Sequence, residues 1–140
     1  MKSVQIAIVL CIICFAVPSI SAEWTHIPYT DWWFDSASKL KVNNSGVVDA
    51  WIKKVYLPSS LEKIKAINRG QRDYNNYSHS IDLYKINCDD NMSAVQVYKD
   101  YNLDGTLIFS DNRNEPLEPV TPGTVNDEIV KTVCSHATKK

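Results

Sequence analysis

After its first 22 residues this chain has no further long apolar run, no internal repeat and no low-complexity tract. A membrane-spanning helix, which needs ~20 consecutive apolar residues, is therefore excluded from the remainder. Neither sign of charge dominates, with 15 basic and 16 acidic side chains, so nothing draws the whole molecule toward nucleic acid or an anionic membrane. No CxxC pair follows the N-terminal segment, and no nucleophile-elbow pattern occurs anywhere. No motif asks for a cofactor.

What is present begins with an export signal. Met1-Lys2 gives a short positive start, Val4 to Val17 is almost unbroken apolar sequence, and Pro18-Ser19-Ile20-Ser21-Ala22 offers small residues for cleavage. This pattern predicts a signal peptide over residues 1–22, with a cut after Ala22 and one after Ser21 nearly as good. A single domain is left over residues 23–140. Only Lys2 departs with the leader, so the remainder is slightly acidic. The location implied is extracytoplasmic: periplasm, cell surface or secreted. Cys11 and Cys14 would leave with the leader. Leu10 and Ile13 precede them, where lipidation needs a small residue, so a lipid anchor is not expected. Cys88 and Cys134 remain. In an oxidising compartment such a pair most simply forms one disulfide. The alternative, two ligands of a metal site, lacks both CxxC spacing and a second pair.

Residues 24–29 alternate loosely as a first strand, and Trp32-Trp33-Phe34-Asp35 starts another. Asn43-Asn44-Ser45-Gly46 favours a reversing turn before Val47 to Leu57. Val48, Ala50, Ile52 and Tyr56 form one apolar face of that segment, and Trp51, Val55 and Leu57 make the other partly apolar, as in a central strand. Pro58 ends it. Ser60 is placed to cap a short helix over 61–68, closed by Gly70. Strands resume at 78–88, 92–101 and 106–110, the last two joined through Asp104-Gly105, a strong hairpin signal. After Pro122-Gly123, Thr124 and Asp127 suggest a capping box, and Val125, Ile129, Val130 and Val133 share one helical stripe. The fold expected is α+β: an antiparallel sheet of about five to six strands carrying a C-terminal helix, tethered to it by one disulfide.

In order and spacing these elements resemble the bacterial surface-adhesin protein E-like family. The resemblance rests on the opening Trp24 strand, Trp33-Phe34-Asp35 and Val48-Asp49-Ala50-Trp51. It continues through Ser80 to Cys88, Tyr98-Lys99-Asp100-Tyr101 leading to Gly105, and Pro122-Gly123-Thr124 leading to Val133-Cys134. It spans nearly all of the chain beyond the leader. It implies the helix-on-sheet fold with a Cys88–Cys134 bridge, a tendency to form a homodimer, and binding of extracellular-matrix or plasma proteins such as laminin and vitronectin. No residue-level binding motif comes with it, since binding loops vary most.

Asp100, Asn102, Asp104 and Asp111 match the calcium-loop spacing D-x-N-x-D-G with an acid at the twelfth place. Ile108 at the ninth place, a short closing acid and a strand-like entry favour an ordinary hairpin. His26, His79 and His136 are scattered. His79 has Ser78, Ser80 and Asp82 nearby, but adjacent strand residues point to opposite faces, so a Ser-His-Asp arrangement fails geometrically. Lys53, Lys54, Lys63, Lys65, Arg69 and Arg72 are opposed only by Glu62 between 53 and 72. This run is the candidate contact surface for an anionic partner face. Trp33 and Trp51 are expected in the core, and Trp32, pointing the other way, as an exposed interface anchor. The sequence thus reads as a non-enzymatic exported binding protein. The alternatives are a periplasmic structural or accessory protein of the cell envelope, and a calcium- or small-ligand-binding module.

Overall fold

Burial alternates along Val47–Val55, where Val48, Ala50, Ile52 and Lys54 are buried and the residues between them are not. That period of two is what a strand with one covered face requires. The computed structural model describes residues 22–37, 40–68 and 72–139. Residues 1–21 of the expected signal peptide, with Cys11 and Cys14, lie outside the described residues, as do Arg69 and Gly70. Among the described residues no helix is long and apolar enough to cross a membrane.

The strands are β1 (Trp24–His26), β2 (Trp32–Asp35), β3 (Lys41–Val42), β4 (Val47–Val55), β5 (Tyr77–Asn87), β6 (Met92–Asn102), β7 (Leu107–Asn112), β8 (Glu118–Pro119) and β9 (Thr138–Lys139). Six of them run in the order β1-β2-β4-β5-β6-β7, each antiparallel to its neighbour. β8 extends the sheet by pairing with the start of β6, at Met92 and Ser93, where β7 does not reach. β3 and β9 form a separate parallel pair that ties the end of the chain to the segment before β4. The antiparallel sheet and the C-terminal helix agree with expectation.

Turn chemistry explains the connections. The Asn43 side-chain oxygen accepts the Ser45 and Val47 amides, and Gly46 sits at φ +73°, a conformation glycine adopts without steric cost. A Cβ there would run into the Asp89 carboxylate, which would have to shift. Between β6 and β7, Asn102 and Asp104 both accept the Thr106 amide, and Gly105 takes φ +84°.

One helix, α2 (Val125–His136), packs its apolar stripe on the inward face of the sheet. It buries Ile129, Val130 and Val133 in the same cluster as Phe34, Val48, Ile52 and Ile86. Each such side chain contributes about 1.5–3 kcal/mol by leaving water. Thr124 caps the helix by accepting the Asp127 amide. Asp127 reaches back to the Gly123 amide, one residue beyond the expected box partner. Val125, expected in the stripe, is 41% exposed because it lies in the first turn, off the sheet. Cys88, directly after β5, and Cys134, in the last turns of α2, form a disulfide with Cα atoms 5.7 Å apart.

α1 (Pro58–Ile67) differs from expectation at its start. Pro58 occupies the first helical turn with Leu57 at the cap, and Ser60 lies inside the helix. Proline suits that place because the amide it lacks would have no partner there. No residue of α1 is buried, and Leu57 and Ile67 are 57% and 83% exposed. A 3-10 turn, Arg72–Asn76, leads from there into β5.

Candidate functional site

The basic run from 53 to 72 begins in β4, where alternation sends consecutive lysines to opposite faces. Lys53 stays on the outer face, its ammonium 5.8 Å from the Trp24 ring centroid. Lys54 turns inward and is corrected from surface contact to core: its ammonium lies 2.6 Å from Asp82 Oδ2, with side chains 11% and 0% exposed. It also sits over the rings of Trp32 and Tyr84, at 4.7 and 5.1 Å from their centroids. On α1, Lys63 is exposed, while Lys65 approaches Glu62 at 3.4 Å. Among the described lysines of this run, Lys63 is thus exposed, Lys53 and Lys65 are half-buried at the surface, and Lys54 is buried.

The tryptophans are also redistributed. In β2, Trp32 pairs in register with Lys54, Trp33 with Lys53 and Phe34 with Ile52. Trp32 thus shares the inward face and packs half-buried against the core, rather than standing free as an anchor. Phe34 is the fully buried aromatic of this strand. Trp33 lies on the outer face against His26, and Trp51 lies there too, half-buried under Lys99 at 5.0 Å.

Beside Lys54 the sheet carries a polar layer that reasoning from the sequence missed. Register places Lys54 opposite Ser80, and Ser80 opposite Asp100. Tyr77 and Ser80 share a hydrogen bond of 2.8 Å, Ser80 donates to Asp100 Oδ1 at 2.8 Å, and Tyr74 donates to Asp100 Oδ2 at 2.7 Å. Burial pushes the Tyr74, Tyr77 and Tyr98 hydroxyls above the ordinary tyrosine value; for Tyr74, Asp100 adds to it. All three remain protonated at any physiological pH. The available signal was Ser80-x-Asp82-x-Tyr84, polar residues at the inward period of β5.

That layer also decides the fate of the calcium-loop pattern. Asp100 is held inside by Tyr74 and Ser80, Asn102 and Asp104 hold the Thr106 amide, and Asp111 pairs opposite Tyr98 within β7. Among the described residues no three His, Cys, Asp or Glu side chains converge as metal ligands. The pattern is spent on building a hairpin.

His79 contacts Ser78 at 3.2 Å and stacks on Tyr101 with ring centroids 5.3 Å apart, while Asp82 points to the opposite face. Burial lowers the pKa of its imidazole, Lys53 lowers it further, and Asp100 opposes them. Because the folded value lies below the unfolded one, of about 6.5, the neutral ring favours folding. That contribution is complete above about pH 6.5 and is lost as pH falls through the folded pKa. The urea midpoint is expected to fall between pH 7 and pH 5, and His79→Gln to flatten that portion. A profile indifferent to the substitution would contradict this assignment. Asp127, whose pKa is lowered chiefly by Lys131, acts only at more acid pH.

A family model described as surface-adhesin protein E matches residues 29–135, from just before β2 almost to the end of α2 and including both bridged cysteines. No curated protein and no solved structure matches the chain at a significant level.

Proposed function

Because the chain belongs to the surface-adhesin protein E family, we propose that it is an exported, non-enzymatic adhesin that binds extracellular-matrix or plasma proteins, laminin and vitronectin among them. The family match over 29–135 is the observation that carries this reading. This reading is supported by a stapled sheet that presents a solvent-facing helix, α1, and surface cations at Lys53, Lys63 and Lys65. Oppositely charged patches steer partners together and make the encounter sensitive to salt. Arg69 and Arg72 belong to the same proposed surface by sequence.

Solid-phase binding to laminin and vitronectin over a range of salt concentrations tests it. The chain is expected to bind, and binding to weaken as salt rises. Replacing Lys63, Lys65, Arg69 and Arg72 by serine is expected to abolish the salt-sensitive part. Binding that survives those changes would remove the basic segment from the interface. No binding to either protein would turn the search to partners within the cell envelope.

A further inference from the structure

α1 lies over the sheet without burying any of its residues, and between it and the β6–β7 hairpin lies a cavity of about 550 Å³. Its lining includes Tyr56, Asn68, Tyr98, Asp100, Phe109 and Arg113, with Ile64 and Ile67 on the helical side. We infer that this cleft is a binding site for a neutral carbohydrate, with Phe109 as the stacking platform and Asn68, Arg113 and Tyr56 as partners for its hydroxyls.

The size is that of a ligand cleft rather than a packing defect, since such sites run to about 300–1,000 Å³. Three features of the lining select the ligand class. First, an aromatic face is on offer: Phe109 remains 44% exposed, tilted at 59° to Tyr98 with centroids 6.2 Å apart. The part of the phenyl left in water on this edge strand suits the apolar face of a sugar ring.

Second, the charge is balanced and largely spent. Asp100 accepts from Tyr74 and Ser80 and is 2% exposed, which leaves little of it for a cation. Arg113 sits over Tyr98 at 5.3 Å and touches Asp111 and Glu115 only loosely, at 3.6 and 3.4 Å. An anion would find this one guanidinium with carboxylates on both sides. A cation would meet the same guanidinium.

Third, unused hydrogen-bonding capacity faces the space. The Asn68 amide nitrogen donates to the Ile64 carbonyl, leaving its oxygen as an acceptor. The Arg113 fork has donors beyond its two loose ion pairs. An apolar side chain entering here would strip water from these groups without replacing it, which is costly. A polyol satisfies them.

The site is separate from the basic segment, so its failure would leave the protein-binding proposal standing. The test is a glycan array probed with the full chain. The array displays neutral oligosaccharides of glucose, galactose, mannose and N-acetylglucosamine beside sialylated and sulfated ones, with hits quantified by calorimetry. Binding to one or more neutral glycans is expected. Phe109→Ala is expected to weaken it by about three- to tenfold, the scale of a lost aromatic contact. Arg113→Ala is expected to weaken it as well. Both positions are surface-exposed, so an unchanged urea midpoint verifies that each variant is folded. Binding confined to charged glycans, binding indifferent to Phe109→Ala, or no glycan binding by the folded chain would overturn the inference.

Discussion

Replacing Lys54 by methionine is expected to lower the unfolding free energy by about 3–5 kcal/mol, the cost of leaving one member of a buried ion pair alone. Asp82 is 0% exposed, and beyond the Lys54 contact its oxygens accept no well-aligned hydrogen bond. Burial raises the pKa of Asp82, against the pull of Lys54 and of the Lys99 backbone amide. For Lys54 burial acts alone in the other direction, but Tyr84 and Asp82 together outweigh it and hold the ammonium charged. Removing the lysine takes away the main compensation, and the carboxyl must take up a proton or stay charged in the sheet. The double variant Lys54→Met, Asp82→Leu should recover most of the loss, because an apolar pair of similar volume substitutes well for a buried ion pair. Urea denaturation of the two variants separates these cases. A single variant costing under about 1 kcal/mol would show that water reaches the pair.

Opening the Cys88–Cys134 bridge is the second large effect. The cysteines lie 46 residues apart in sequence, and closing a loop of that size removes about 4 kcal/mol of unfolded-state entropy. Against a total of about 5–15 kcal/mol for a small domain, that is a large share. The bridge joins the end of β5 to the last turns of α2, so its loss also loosens the helix that buries Ile129 and Val133. Cys88→Ser with Cys134→Ser, or reduction of the native chain, should lower the urea midpoint accordingly. A change smaller than about 1 kcal/mol would mean that packing of α2 alone sets the stability.

The parts of the fold that were legible in the sequence are those specified locally. The inward period of β4, the Asp104-Gly105 hairpin and the helical stripe of α2 each depend on neighbours within a few residues. Pro58 was legible as a strand end but not as a helix start, because proline is equally suited to closing a strand and to opening a helix. Trp32 lies on the inward face and Trp33 and Trp51 on the outer one, the reverse of the sequence expectation. Hydrophobicity alone does not orient a strand with apolar residues on both sides; the pairing of Phe34 with Ile52 does. Lys54 looked like one more surface charge for the same reason, since its partner Asp82 is 28 positions away on the neighbouring strand. The aromatic cleft was invisible because Tyr56 just after β4, Asn68 just after α1, Tyr98 in β6 and Phe109 in β7 meet only through the topology.

The central claim, a surface adhesin, is tested most directly by mild protease treatment of intact cells of the native source, followed by detection of the chain. The account predicts that the protein is shaved from the cell exterior or released to the medium while a cytoplasmic marker stays whole. Protection of the chain until the envelope is breached would contradict it and place the protein among the internal components of the cell envelope.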